Sequence, residues 1–135
     1  MKILFVCKHN RFRSKVAESI FNALNKNPNI KAESAGIIMD KERPYIADNV
    51  LKIMKQKGYS ITSKPEQVKK PGLEDYRLIV IVGDNTPMED FSNLKCKLIR
   101  WDIPDCGAEE FEKISTIIGQ IEAKVKELIN SIAVS

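Results

Sequence analysis

Histidine and cysteine are scarce in this chain, and their scarcity excludes several kinds of site. The 135 residues contain one histidine and three cysteines. An odd number of cysteines does not close a disulfide framework, and without a Cys-x-x-Cys pair we expect no structural zinc site. A single histidine also argues against hydrolases that use a histidine-containing catalytic triad. Any catalysis is therefore expected to rest on other residue types or on one cysteine.

Long apolar runs are also missing. No run approaches the ~18 residues that a membrane-spanning helix needs. Near the N-terminus only residues 3–6 are apolar between Lys2 and Cys7, which is too short for the core of a signal peptide. We therefore expect a cytoplasmic protein with no membrane partner. The formal charge of +4 fits an anionic ligand, but it is too small and dispersed to indicate a nucleic-acid partner.

Strands and helices alternate along the chain. Apolar runs predict strands at residues 3–6, 30–35, 78–82 and 97–100. Helical spacing predicts helices that begin near Arg13 or Ser14, at Pro44 and at Phe111, with a short helix from Pro87. Residues 62–72 read as a loop. We expect a single three-layer α/β domain over residues 1–135, in which helices flank a four-stranded parallel sheet.

The first strand-to-helix turn, residues 7–14, has the composition of an anion site. Cys7 ends the first strand, and Arg13 and Ser14 open the first helix. A loop between them aims backbone N–H groups and the positive end of the helix at one point. Arg13 adds a planar fork that can hold two oxygens of a phosphate-like ion. The same field would stabilise a thiolate on Cys7 and make it a nucleophile.

The pattern Cys-x5-Arg-Ser at residues 7–14, with Ala17-Glu18 and Ser34-Ala35-Gly36 after it, closely resembles the low-molecular-weight protein tyrosine phosphatase family. The resemblance covers essentially the whole chain. It implies a phosphomonoesterase that works through a cysteinyl phosphate without metal or other cofactor. Its ligands would be phosphate or a similar oxyanion. Its substrates would be phosphotyrosyl proteins or other phosphomonoesters, and the physiological substrate stays open.

The resemblance also implies roles for individual residues. Cys7 would attack phosphorus, and Arg13 would bind the equatorial oxygens and stabilise the transition state. Ser14 would hydrogen-bond the cysteine sulfur, Asn10 would hold the loop in its strained shape, and Ser34 would support the loop through hydrogen bonds. The whole loop would contribute to the phosphate site: Lys8, His9, Asn10, Arg11, Phe12, Arg13 and Ser14.

The general acid of this family is a late aspartate, normally followed by proline. Alignment places Asp105 there, with Cys106 in the position of the proline, and Asp102 is the alternative acid. Many members carry a second cysteine just before the arginine, where this chain has Phe12. Whether Cys106 has a redox role is open, and a reversible disulfide between Cys7 and Cys106 is one hypothesis.

Thioredoxin-coupled arsenate reductases resemble the chain too, because they share this fold and loop. Reduction needs two further cysteines to pass a disulfide outward, and in those enzymes they follow the third strand. The corresponding residues 83–90 contain no cysteine, so the phosphatase is favoured over the reductase. A non-catalytic anion-binding relative is a third reading, which the presence of Cys7, Arg13 and an acid disfavours.

Several residues near these motifs have structural interpretations. Lys8, Arg11 and Lys15 are expected to be solvated charges near the mouth of the pocket. Trp101 is expected in the core, and Cys96 is expected to be a packing residue at the edge of a strand. Tyr45 is left without a prediction.

Overall fold

The computed structural model describes residues 1–69, 71–87, 91 and 93–134. Its strands are β1 (Lys2–Cys7), β2 (Lys31–Gly36), β3 (Leu78–Val82) and β4 (Lys97–Trp101). Its α-helices are α1 (Arg13–Leu24), α2 (Asp48–Gln56) and α3 (Phe111–Val134). A short 3₁₀ helix covers Leu73–Asp75. Within these ranges no helix is long and apolar enough to cross a membrane.

The strands form one four-stranded sheet in the order β2-β1-β3-β4, and every neighbouring pair is parallel. The predicted four-stranded parallel α/β fold is therefore confirmed. The chain passes from β1 to β2 on one side and returns to β3 on the other. Ligands of open parallel sheets bind where the connections diverge in this way, beyond the carboxyl ends of the strands. Cys7, the last residue of β1, lies at that point and is paired in register with Gly36.

Both faces of β3 are buried, which explains the continuous apolar run of this strand. Leu78, Val80 and Val82 belong to one hydrophobic cluster, whereas Ile79 and Ile81 belong to the other. A strand covered on both faces has no solvent side, so its sequence does not alternate between apolar and polar residues. This burial makes the strand ends a rigid base for the loops that follow them.

Helices α1, α2 and α3 all contribute to the hydrophobic cluster that contains Val80. At its centre the ring of Phe5 lies 6.1 Å from that of Phe21 and 5.6 Å from that of Trp101. Trp101 is buried, which confirms the prediction that it is a core residue. Cys96 is half-buried against the second cluster, in agreement with its predicted packing role.

The predicted start of the second helix is wrong. Helix α2 begins at Asp48, and Pro44 lies exposed before it. Ile46 and Ala47 are buried although they precede the helix, and Ala47 is extended with φ −61° and ψ 138°. These two core residues mimic a helical pattern from a non-helical segment. The predicted helix end is confirmed, because Gly58 follows the C-cap with φ 90°.

Three further segments differ from the sequence prediction or lie outside the described residues. The predicted loop 62–72 contains an isolated parallel bridge between Gln67 and Gly36, so it is tied to the edge of β2. The 3₁₀ helix Leu73–Asp75 was not predicted, because three residues carry no readable periodicity. The short helix predicted from Pro87 falls largely on residues 88–90 and 92 and lies outside the described residues.

Candidate active site

The loop between β1 and α1 is shaped by Asn10. Its backbone is left-handed, with φ 57°, a conformation that asparagine tolerates better than most residues. Its side chain is fully buried and donates from Nδ2 to Ser14 Oγ at 2.6 Å. Ser14 Oγ in turn lies 2.9 Å from Cys7 Sγ. The structure therefore brings together three residues that were predicted to share a site, with Asn10 behind Ser14 and Ser14 beside the sulfur.

Gly36 allows the loop to pass close to β2. A Cβ at this position would lie 2.7 Å from the carbonyl carbon of His9 and 2.9 Å from the nitrogen of Asn10. Ile37 N, next along the chain, donates to Cys7 O at 3.0 Å. The glycine of the Ser-Ala-Gly motif is thus explained by close backbone approach, because no other residue leaves room for the loop.

Arg13 is buried and held from two sides. Its Nη1 donates to Ile103 O at 2.8 Å, and its Nη2 donates to Asn85 Oδ1 at 3.0 Å. The carboxylates of Asp84 and Asp105 lie 3.8 and 3.7 Å from the guanidinium. Asn85 and Asp84 follow β3, whereas Ile103 and Asp105 follow β4. The guanidinium is therefore oriented by residues that follow β3 and β4, the two strands on the opposite side of β1 from β2.

A cavity of about 200 Å³ opens over the loop. Its lining includes Cys7, Arg13 and Asp105, whereas Asp102 is not among its lining residues. Besides Arg13, five side chains of its wall and rim are basic or aromatic: Lys8, His9, Arg11, Phe12 and Arg43. Over the described residues, no three His, Cys, Asp or Glu side chains are grouped so that they could hold a metal ion. The cavity thus offers a sulfur, a cationic fork and a carboxylate.

The rim is partly ordered by contacts to neighbouring backbone. Arg11 Nε donates to Tyr45 O at 2.8 Å, and its guanidinium lies 5.3 Å from the centre of the Tyr45 ring. His9 Nδ1 lies 3.2 Å from Ile38 O. These contacts hold both side chains at the mouth, where the positive charge of Arg11 favours an anionic ligand.

Cys106 lies in the same cavity as Cys7. It is half-buried, and both thiols are free. Burial raises the pKa of the Cys106 thiol, and the carboxylates of Asp105 and Glu110 raise it further. Cys106 is therefore expected to be a neutral thiol at physiological pH. Asp105 Oδ1 accepts a hydrogen bond from the Cys106 nitrogen at 2.9 Å, which ties the two residues to each other.

Two sequence predictions about the surroundings of the loop are corrected. Lys15 is not a solvated charge: its side chain is 2% exposed, and Nζ donates to Ser63 Oγ at 2.7 Å and to Glu18 Oε1 at 3.3 Å. The sequence pattern misled because a lysine beside a loop is usually exposed. Ser34 Oγ donates to Glu18 Oε1 at 2.5 Å, so its hydrogen bond reaches helix α1 instead of the loop itself.

Sequence reasoning missed several residues that hold the site. Glu66 N donates to Asn10 Oδ1 at 3.0 Å, and Asn85 orients Arg13. Gly83 makes room for the guanidinium, because a Cβ there would lie 2.7 Å from Arg13 Nη1. A usable signal did exist for Gly83 and Asn85, since they directly follow the clearest strand and so belong to the same edge of the sheet as Cys7.

A comparison with protein families decides which family the chain belongs to. The family model described as low molecular weight phosphotyrosine protein phosphatase matches residues 2–135. The chain belongs to this family. The resemblance inferred from the loop and the Ser-Ala-Gly motif is therefore confirmed across the whole matched length.

Proteins similar to this member of the family carry two kinds of name. A glutaredoxin arsenate reductase of Synechocystis sp. (strain ATCC 27184 / PCC 6803 / Kazusa) is 25% identical over 136 residues, which cover 98% of each protein. An arsenate reductase structure from Archaeoglobus fulgidus DSM 4304 is 30% identical, with a TM-score of 0.79, covering 95% of this chain and 98% of that one. A low molecular weight protein tyrosine phosphatase structure from T. tengcongensis is 22% identical and shares the fold with a TM-score of 0.83. The match covers 97% of this chain and 99% of that one.

Proposed function

We propose that the chain is a cysteine-dependent phosphomonoesterase that acts on aryl phosphates such as phosphotyrosyl proteins. The observation that carries the proposal is the shared cavity of Cys7, Arg13 and Asp105. A nucleophile, an oxyanion-binding fork and a carboxylate around one small cavity are the parts that two-step phosphoryl transfer requires. The basic rim formed by Arg11 and Arg43 supports an anionic substrate.

In the first step the Cys7 thiolate attacks phosphorus, so that an S–P bond forms and the ester P–O bond breaks. Arg13 binds equatorial oxygens of the phosphoryl group through parallel N–H donors. Asp105 donates its proton to the leaving oxygen, which departs as the neutral phenol. In the second step the Asp105 carboxylate takes a proton from water, and the resulting hydroxide attacks phosphorus. The S–P bond breaks, and Ser14 donates a hydrogen bond to the departing thiolate, releasing inorganic phosphate.

The test is hydrolysis of an aryl phosphate without added metal by wild type and three variants. We expect Cys7→Ser to abolish turnover while still binding phosphate. We expect Asp105→Asn to lower kcat by about 10²-fold or more, as loss of a general acid does. Asp102→Asn is the matched control, because Asp102 does not line the cavity. Full activity in Cys7→Ser rejects the mechanism, and a loss in Asp102→Asn but not in Asp105→Asn reverses the acid assignment.

Arsenate reduction is the second candidate, and the position of Cys106 favours it. In this reaction Cys7 would displace water from arsenate and form an S–As bond. The Cys106 thiol would then attack the Cys7 sulfur, so that arsenite leaves with the electron pair of the S–As bond and a disulfide remains. A dithiol donor such as glutaredoxin or thioredoxin would reduce the disulfide. The two similar arsenate reductases support this candidate, whereas the absence of cysteine from residues 83–90 favours hydrolysis.

The two candidates separate in a side-by-side assay of aryl phosphate hydrolysis and of arsenate reduction coupled to glutaredoxin or thioredoxin. Cys106→Ser is the discriminating variant. A hydrolase is expected to keep its rate in this variant, because Cys106 takes no part in either step. A reductase is expected to lose turnover and to accumulate no disulfide. Efficient arsenate reduction by the wild type that Cys106→Ser abolishes would replace the first proposal with the second.

A further inference from the structure

Lys15 is a buried charge that the proposed reaction does not use. Its side chain is 2% exposed, although it lies in the first turn of α1. That turn contains no acidic residue, and a cation at the N-terminal end of a helix is unfavourable because it opposes the helix dipole. Burying an ammonium is also costly unless it is paired and hydrogen-bonded. Helix stability therefore does not explain this lysine, and its partners must.

The ammonium of Lys15 belongs to a hydrogen-bonded group that joins three parts of the fold. It donates to Ser63 Oγ at 2.7 Å and to Glu18 Oε1 at 3.3 Å. The same carboxylate oxygen of Glu18 accepts from Ser34 Oγ at 2.5 Å. Helix α1 is thus connected to the segment that begins at Ser63 through one buried cation, and to strand β2 through the carboxylate of Glu18. The four side chains line a second cavity of about 430 Å³, whose lining does not include Cys7.

The segment of residues 63–68 leads from this cation to the loop. Glu66 N donates to Asn10 Oδ1 at 3.0 Å, and Glu66 O accepts from Gly36 N at 2.7 Å. Val68 N then donates to Gly36 O at 2.8 Å. The segment is therefore fixed at Ser63 by Lys15 and along β2 by Gly36, and between these points it holds the side chain of Asn10.

Asn10 passes this restraint to the reacting end of the loop. Its Nδ2 donates to Ser14 Oγ, which lies beside Cys7 Sγ. Its left-handed backbone is strained unless neighbouring groups hold it. We infer that Lys15 is a positioning residue: its ammonium fixes residues 63–68 and thereby keeps Asn10, and with it the anion loop, in the conformation that binds phosphate. The inference rests on the proposed function for its kinetic consequence but not for its effect on phosphate binding.

The experiment replaces the ammonium and returns it from solution. Lys15→Ala leaves space beside the second cavity, which a small amine can enter. We expect inorganic phosphate to bind about tenfold more weakly to this variant by calorimetry, and kcat for an aryl phosphate to fall by about tenfold, as displaced catalytic groups do. Methylammonium is expected to restore both. Tetramethylammonium at equal concentration is expected to restore neither, because it has no N–H to donate. Lys52→Met, on the exposed face of α2, is the matched control.

Unchanged phosphate affinity in folded Lys15→Ala overturns the inference. A loss of stability without amine-specific rescue also overturns it, because that result indicates a purely structural role. If Lys15→Ala does not fold, Ser63→Ala removes one exposed partner instead. It is then expected to weaken phosphate binding by about threefold through the same segment, and wild-type affinity overturns the inference. A wild type that binds phosphate without hydrolysing esters refutes the proposed function alone, because the binding comparison stands without turnover.

Discussion

Gly83 offers a sharp test of how Arg13 is held, because a single methyl group added there meets the guanidinium. A Cβ at Gly83 would lie 2.7 Å from Arg13 Nη1 and 2.6 Å from Thr86 Oγ1. Ordinary van der Waals contact needs about 3.5 Å, so the guanidinium must retreat by about 0.8 Å and the Thr86 hydroxyl by about 0.9 Å. Arg13 cannot do so freely, since Nη1 donates to Ile103 O and Nη2 donates to Asn85. Gly83→Ala therefore shifts the fork that we propose binds phosphate.

The expected size of the effect follows from this displacement. Misplacing a catalytic group by about 1 Å costs about 100-fold in rate, which corresponds to about 2.7 kcal/mol of transition-state stabilisation. Crowding the buried site should lower the free energy of unfolding by about 1–3 kcal/mol, as overpacking does. We therefore expect kcat/KM for an aryl phosphate to fall by about 100-fold while the protein stays folded at 25 °C.

The assay combines steady-state kinetics, phosphate affinity and urea denaturation. Gly119→Ala in α3 is the matched control, because a Cβ there meets nothing within 4 Å. Replacing a helical glycine by alanine should raise the free energy of unfolding by about 0.5–1 kcal/mol and leave the kinetics unchanged. A folded Gly83→Ala protein with wild-type kcat/KM would show that the guanidinium tolerates the shift, which refutes the reasoning that its position is tightly set.

Two further predictions concern the loop and the pH dependence of stability. Gly36→Ala places a Cβ 2.7 Å from the His9 carbonyl carbon, which is backbone and cannot turn aside. We expect a loss of about 1–3 kcal/mol in urea denaturation together with loss of phosphate binding, and a wild-type titration would contradict this. Burial and the hydrogen bond to Glu122 raise the pKa of Tyr59 from its ordinary value of 10.0 to about 12. The stability from this raised pKa is complete below about pH 10 and is lost as pH rises towards about 12. Tyr59→Phe should therefore flatten the alkaline decline of the free energy of unfolding, measured by chemical denaturation. An unchanged decline with pH would rule out a contribution from this contact.

The parts of the fold that sequence predicted well are those with a strong local signal. The run that became β3 is apolar throughout because both faces of the sheet are covered. The turn after β1 combines a strand end, Arg13 and Ser14 at a spacing that few other structures require. The cavity lining also agrees with the preference for Asp105 over Asp102, although the role of the acid stays a prediction.

The parts that sequence missed depend on partners far along the chain. Lys15 looks like any surface lysine until Ser63, 48 residues later, and Glu18 surround its ammonium. Asn85 reaches Arg13 across 72 residues. Neither contact changes the local hydrophobic periodicity, which is the main signal for secondary structure in a single sequence. The error in the predicted start of α2 has a related cause. Tertiary packing buries Ile46 and Ala47, so their spacing predicted a helix, but both residues precede α2.

The long reach of the Arg13 contacts has a consequence for how the protein matures. Cys7 and Arg13 are synthesised well before Ile103, whose carbonyl fixes the guanidinium and lies 90 residues after Arg13. Contacts of such sequence separation form late, because the intervening chain must first be ordered. A nascent or partly folded chain therefore exposes a thiol without the arginine geometry that phosphate binding needs. During synthesis, competence for chemistry should arise together with completion of the sheet, and gain of phosphate affinity would report the final step of folding.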